Sequence, residues 1–434
     1  MSSLAKPSPA AAHELDGAAG ELAAALRKAE SARARVIADL DDACVIAALA
    51  AAAAEWMGPD SELRRRIARE LAAVTRLHAD LVSTGLEFAF AAVTEDSLRE
   101  LVRRERVSAN RQGPAAVFYA LAGNVPAQAV PPIIACLLAR SVALIRDSER
   151  QPLVTEAFRE SIARARPELA EMIVPVAWSS ANPTKEAREI ESLVVGAARR
   201  IELFGSDSTV SWLSTRYAAL TPTETARHTT RLSAGIVTAD ADLDAAAEAF
   251  ALDVVMYEGR GCLTPHVLLV EGAKSRADDF GARLAPSLRR LQDRWPRARG
   301  TLEEESSRRA WIDRSEIAHL SRDADGALLL GEAAEWCVSI EADEQLTLGP
   351  GLRCVTLRAA GDRDQTFRAL ARASTPLAAI GVASGDPRAI ADLKATLPPI
   401  GVTLVCPAGR MQAPPIHWEQ DGRRRLGDLL EQGA

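Results

Sequence analysis

A thiol stands between small and rigid residues in the stretch Gly259-Arg260-Gly261-Cys262-Leu263-Thr264-Pro265, after an amphipathic helical segment and before the apolar run Val267 to Val270. Glycines ahead of the sulfur let the backbone pass close to a ligand, and Pro265 removes a donor and stiffens the exit. The sequence therefore presents Cys262 from a shaped loop, which suits nucleophilic chemistry. A thiol with a pKa of about 8.5 is only a few per cent ionised at neutral pH, so such a loop needs backbone N–H groups or a cation beside it. From the loop alone, a buried structural cysteine is an equally good reading.

The elements that must position this loop are legible on either side. Residues 14 to about 105 are rich in Ala, Leu, Glu and Arg at helical spacing, with Leu63, Ile67, Leu71, Val74 and Leu77 on one stripe. Strands are predicted at Ala116 to Ala122, Ser141 to Ile145, Met172 to Val176 and Arg200 to Phe204. Helices at Val130 to Arg140, Thr155 to Arg164 and Lys185 to Val195 alternate with them. That rhythm predicts a parallel sheet with its ligand at the carboxyl ends of the strands. A second block follows: strand Gly235 to Thr238, helix Leu243 to Met256, the Cys262 loop, strand His266 to Val270 and helix Ala277 to Asp293. Charged loops are expected from Arg297 to Asp325, then strands near Cys354 to Leu357 and at Ala378 to Val382, and a loop-like last thirty residues.

A chain of 434 residues exceeds what one core usually fills, so two or more packed domains are expected. The net charge of -7 argues against a nucleic-acid partner, and the run Arg423, Arg424, Arg425 reads as a solvated patch. The first twelve residues lack the apolar stretch of a secretory signal, so a loose cytoplasmic tail is expected. Val45 to Ala54 is too short to span a membrane, and Ala127 to Ile145 is broken by Pro131, Pro132 and Arg140; both read as core. The six cysteines include no C-x-x-C pair and no zinc-ligand spacing, so neither disulfides nor a metal is expected.

Taken with residues upstream, the Cys262 loop resembles the nucleophile loop of the aldehyde dehydrogenase superfamily. Ile236-Val237-Thr238-Ala239-Asp240-Ala241-Asp242-Leu243-Asp244 is similar to that superfamily's strand and helix start, and Cys262 falls where its nucleophile lies. The general-base glutamate position, 34 residues earlier, holds His228. Glutamate there would activate water to hydrolyse the acyl-enzyme. Its replacement implies reduction, with the imidazole exchanging protons. Gly123-Asn124-Val125-Pro126 resembles the superfamily's Asn-x-Pro turn, which implies Asn124 as an oxyanion donor.

The fold implied is aldehyde-dehydrogenase-like α/β. A helical N-terminal region (1–105) leads to a Rossmann-like nicotinamide cofactor domain (106–227), a second α/β catalytic domain (228–405) and a C-terminal tail (406–434). By the same resemblance Arg146 and Glu149 touch the adenosine ribose, while Gly205, Ser206 and Thr209 hold the pyrophosphate at a helix start. Glu149 favours the free hydroxyl of NADH and Arg146 the phosphate of NADPH, so the cofactor is one of the two.

Within the superfamily the acyl-CoA reductase (LuxC-type) family is the nearest likeness. It rests on Gly123 to Pro126, Phe204-Gly205-Ser206-Asp207, Cys262 to Pro265 and the tail Gly409-Arg410-Met411-Gln412-Ala413-Pro414-Pro415 through Trp418 to Asp421-Gly422. Departures from the family are His266, where glutamine is common, His417, Glu419 and Gln420 in the tail, and Leu346 at the second cofactor glutamate. The resemblance implies NAD(P)H-dependent reduction of an acyl-CoA to an aldehyde through an acyl-cysteine. It leaves open a carrier-bound or phosphate-activated donor, a redox-inactive scaffold, an acyl-transferring or synthetase partner, and a homo-oligomer.

Overall fold

In the computed structural model, which describes residues 17–106, 112–123, 125–148, 153–179, 183–321, 326–341, 348–373, 375–397 and 400–432, the chain opens with helices α1 (Ala18–Asp39), α2 (Asp42–Ala54), α3 (Glu62–Thr75), α4 (Ala79–Ala91) and α5 (Glu95–Glu105). Local caps start several of them: Asp41 accepts from the Cys44 N–H at 2.8 Å, and Thr94 and Ser97 cap each other across the first turn of α5. These helices form no separate unit. Trp56 stacks on Phe90 at 4.3 Å and donates its indole N–H to Ser161 at 3.2 Å, deep in the next layer.

That layer runs β1 (Ala116–Ala120), α6 (Val130–Leu138), β2 (Val142–Arg146), α7 (Leu153–Ala165), α8 (Pro167–Ala170), β3 (Ile173–Pro175), α9 (Lys185–Ala197), β4 (Arg200–Phe204), α10 (Asp207–Ala218) and β5 (Thr225–His228). Its strands pair in parallel in the order β3-β2-β1-β4-β5. Both faces are covered, so β1 is buried at every position and reads as an unbroken apolar run. The order reverses between β1 and β4, and the crevice beyond their carboxyl ends is where such sheets take a ligand. The two membrane-like runs are buried here, one as α2 and the other as α6 with β2, and no helix among the described residues is long and apolar enough to cross a membrane.

The second layer runs β6 (Leu232–Val237), α11 (Leu243–Val255), β7 (Pro265–Val270), α12 (Lys274–Arg294), α13 (Leu302–Ser321), β8 (Ala327–Leu330), β9 (Cys337–Glu341), β10 (Cys354–Ala359), α14 (Arg363–Ala371), β11 (Leu377–Ala383), α15 (Ala389–Thr396), β12 (Leu404–Pro407) and α16 (Gly427–Gln432). The sheet order is β12-β11-β6-β7-β10-β9-β8, parallel except where β8 meets β9.

Three expectations are corrected. The region expected as charged loops carries the twenty-residue helix α13, which buries Trp311 and Ile312. Its start has the form of a capping box: Thr301 Oγ1 accepts from the Glu304 N–H at 3.2 Å, and Glu304 accepts from the Thr301 N–H at 2.7 Å. The last thirty residues are not loop alone, because α16 docks by its N-terminus on Glu105, whose Oε2 accepts from Leu426 and Gly427 at 2.7 and 3.0 Å. Strand β12 also crosses the boundary expected at residue 405, and β5 carries the first sheet through His228.

Candidate active site

The loop after β1, the turn after β4 and the loop before β7 meet around one cavity of about 650 Å³. Phe204, Gly205 and Ser206 form part of its wall, with Val125 to Gln128 across the crevice and Cys262 facing in from the second layer. Cys262 thus enters from the amino end of its own sheet toward the carboxyl end of the other. Ligand and nucleophile come from opposite strand ends.

Cys262 is exposed to this cavity, while Cys136, Cys337, Cys354 and Cys406 are buried and Cys44 is half-buried elsewhere. Its loop is pinned by Ser233 Oγ, which donates to the Cys262 carbonyl at 2.9 Å, and by the Thr264 N–H, which donates to Gly261 O at 3.0 Å. The glycines before it make room for protein rather than ligand. A Cβ at Gly261 would lie 2.8 Å from Gln412 Oε1, and one at Gly259, where φ is +68°, would lie 2.7 Å from the Leu352 backbone nitrogen.

Upstream, Tyr257 and Glu258 take left-handed backbone at φ 54° and 60°, and Leu352 and Arg353 do the same opposite them. The fully buried Arg353 and Glu258 join the two segments, with Arg353 Nη2 donating to Glu258 Oε1 at 2.8 Å and Nε 2.8 Å from Oε2. Tyr257 packs on α4 so closely that a Cβ at Gly85 would stand 2.4 Å from its ring.

The thiol is not activated at rest. Surrounding protein pushes its pKa up to about 11, Asp421 adds to the rise, and its own backbone N–H and Arg425 oppose it. Arg425 lines the cavity with its guanidinium 5.6 Å above the Trp418 ring and its Nε donating to Trp418 O at 3.1 Å. The arginine run expected as a solvated patch therefore sends one member inward, because α16 folds that segment back.

His228 stacks on Phe204 at 4.1 Å and places both ring nitrogens on carboxylates. Nδ1 lies 2.6 Å from Asp421 Oδ2 and Nε2 lies 2.8 Å from Glu202 Oε2. Arg200 pairs with Glu202 and Arg231 with Asp421, which closes a string of alternating charge. Burial works against the charge on His228, yet hydrogen bonds to Asp421 and Glu202 outweigh it and raise its pKa above 6.5. With both nitrogens engaged, the ring holds the C-terminal segment in place. Proton exchange with a substrate would first require it to release a carboxylate.

Of the expected cofactor residues, Gly205 and Ser206 line this cavity, whereas Arg146 and Thr209 are not part of its wall. Ser206 caps α10, with Oγ accepting from the Thr209 N–H at 3.3 Å, and Ser206 to Thr209 are exposed, so the first turn is open to an anion. A Cβ at Gly205 would meet Thr209 no closer than 3.4 Å, so the helix itself does not demand glycine there. Nearby, the buried Gln128 Oε1 on the cavity wall has no hydrogen-bond partner among the described residues. A nicotinamide dinucleotide, with a pyrophosphate for the helix start and amide and hydroxyl donors for Gln128, fits these groups. Arg146 lies with its guanidinium 4.5 Å above Trp178 and donates to Trp178 O at 3.0 Å. Asn124, Glu149 and Leu346 lie outside the described residues.

Sequence reasoning missed Gln412, Trp418, Asp421 and Arg425 as parts of the cavity, although the tail motif that contains three of them was legible. No spacing rule links a chain terminus to a loop 150 residues earlier.

Fold and site together have the layout of the aldehyde-dehydrogenase fold, two α/β sheets with a cysteine where they meet. A model of the acyl-CoA reductase (LuxC) family matches residues 37–432, and the chain belongs to that family. Membership of that family makes it an oxidoreductase that acts on an activated acyl group. Among solved structures, an NAD-dependent benzaldehyde dehydrogenase from Corynebacterium glutamicum is similar at 16% identity and a TM-score of 0.63, covering 91% of this chain and 88% of that one. A glyceraldehyde-3-phosphate dehydrogenase from Methanocaldococcus jannaschii complexed with NADP is similar at 15% identity and a TM-score of 0.60, covering 91% and 86%. No match is found among the curated proteins.

Proposed function

We propose that Cys262 is the nucleophile and that coenzyme A is the leaving group of the acyl donor. The observation that carries this reading is the exposure of Cys262, alone among the six thiols, to the large cavity at the crevice between β1 and β4.

The Cys262 sulfur attacks the thioester carbonyl, coenzyme A leaves as its thiol, and an acyl-cysteine remains. The nicotinamide, when bound, supplies the hydride that takes this acyl group to the aldehyde level. Arg425 is the cation that favours negative charge on the sulfur and on the thioester oxygen, and Asn124 is the oxyanion donor by resemblance. His228 acts through Asp421 as a positioning residue. No glutamate stands at its position to activate water, which favours reduction of the acyl-cysteine over its hydrolysis.

The test is consumption of NADPH or NADH, followed at the nicotinamide absorbance band, with acyl-CoAs of short and long chain. Free coenzyme A is expected to appear in step with oxidised cofactor. A Cys262→Ala enzyme as active as wild type overturns the reading, and release of phosphate or a carrier thiol from other donors, without turnover of acyl-CoA, overturns the choice of donor.

A further inference from the structure

The tail motif Gly409-Arg410-Met411-Gln412 packs against the Cys262 loop, and three holds put it there. Asp253, a fully buried carboxylate near the end of α11, accepts from the Gly409 N–H at 2.6 Å and from the Met411 N–H at 3.1 Å. Met411 is itself fully buried, and its sulfur lies where a Cβ on Gly381 of β11 would come within 2.6 Å of it. Gly409 takes left-handed backbone at φ +78°, and a Cβ placed there would stand 3.3 Å from Ala249 of α11. The tail is thus fixed to the helix that leads into the nucleophile loop before its next residue reaches that loop.

That residue, Gln412, spans the turn on which Cys262 sits. Gly261 O accepts from the Thr264 N–H at 3.0 Å, so Gly261 to Thr264 form a β-turn with Cys262 and Leu263 at its two central positions. At the end of the turn, Gln412 Nε2 donates to Thr264 Oγ1 at 3.1 Å. At its start, a Cβ on Gly261 would stand 2.8 Å from Gln412 Oε1 and 3.1 Å from Nε2, so the amide rests directly on the glycine. Thr264 and Gln412 are both buried, and water does not compete for the bond between them. Ser233 holds the Cys262 carbonyl from β6, while Gln412 holds both ends of the turn.

We propose that Gln412 is a positioning residue for the nucleophile: by seating both ends of the turn, it fixes the direction from which the Cys262 sulfur meets the acyl carbon. This rests on the reading of Cys262 as nucleophile. Cys262 is the exposed corner of the turn, so any swing of the turn about its ends carries the sulfur with it. A displacement of about 1 Å can cost a hundredfold in rate, which makes such a seat worth its buried amide. Gly261 is the residue that lets the amide come this close, and Thr264 supplies its acceptor. The Gly-Cys-Leu-Thr pattern of the loop and the glutamine of the tail are two halves of one device.

The test compares Gln412→Met, Thr264→Val, Thr264→Ser and the double variant Gln412→Met/Thr264→Val in the full-length chain. Methionine keeps the length of the side chain and cannot donate; valine keeps the shape of threonine and cannot accept. Each of these two single variants is expected to lower kcat with acyl-CoA about tenfold or more. KM for NAD(P)H should stay within twofold of wild type, since Gly205 and Ser206 follow a strand of the other sheet. The double variant should lose no more than the poorer single one, because both changes break the same bond. Thr264→Ser, which keeps the hydroxyl, should recover most of the turnover lost in Thr264→Val. Losses that multiply in the double variant, a serine variant as poor as the valine one, or kcat within twofold of wild type in both single variants overturns the proposal. If Gln412→Met does not fold, the comparison of valine with serine at 264 decides alone. Turnover retained in Cys262→Ala overturns the nucleophile itself, so the two failures are separable.

Discussion

Nδ1 of His228 lies 2.6 Å from Oδ2 of Asp421, which joins the last residue of β5 to the C-terminal segment 193 positions later. Glu202 holds the other nitrogen at 2.8 Å, so one imidazole ring bridges the buried Glu202 and the partly buried Asp421 and ties the segment that carries Arg425 and Trp418 to the cavity wall. Asp421→Asn removes one of these charges and leaves Arg231 and His228 short of an anion. We expect a loss of about 3 kcal/mol, the scale for breaking a buried pair, read by urea unfolding. The C-terminal segment should also become sensitive to limited proteolysis.

The same bridge makes stability depend on pH with a defined sign. His228 has its pKa raised in the folded chain, so its contribution is complete below 6.5 and is lost as pH rises through the raised value. The wild-type urea midpoint should fall across that window from 6.5 upward. His228→Gln should be less stable at pH 6 and should lack that part of the decline; identical slopes would remove His228 as its source.

Gly205 separates ligand binding from folding. A Cβ there meets Thr209 at an ordinary 3.4 Å, so Gly205→Ala should change stability by no more than about 0.5 kcal/mol. The added methyl enters the cavity at the start of α10, and KM for NAD(P)H should rise about tenfold, equivalent to about 1.4 kcal/mol. Steady-state kinetics beside a melting curve decide it, since a lower melting temperature with unchanged KM would mean that the glycine serves packing.

The buried Glu258–Arg353 pair locks two left-handed backbone segments ahead of Cys262. Such residues cost about 1–3 kcal/mol each and persist only where the surroundings impose them. Glu258→Gln should cost about 3–5 kcal/mol by leaving a guanidinium unpaired. Replacing both members by methionine should recover much of that stability without recovering kcat. Equal recovery of the two would show that the pair carries no positioning role.

The residues proposed to do chemistry are legible in order along the chain, because each sits in a short motif whose spacing carries its own meaning. The Cys262 loop, the Phe204-Gly205-Ser206 turn and the alternation of strands with helices needed only local rules. Helix α13 escaped notice because its apolar residues keep no clear period, though Thr301 and Glu304 held a readable start signal.

What the sequence by itself determined is a parallel α/β chain with a thiol in a shaped loop and a helix start suited to an anion. Tertiary structure alone decided the partners: His228 committed to two carboxylates, Arg425 turned inward, Cys262 held protonated, and Gln412 seated across the turn that carries it. The physical reason is that hydrogen bonding, burial and charge depend on distances through space. The contacts that set them join Asp421 to His228 and Gln412 to Thr264, positions 193 and 148 residues apart along the chain.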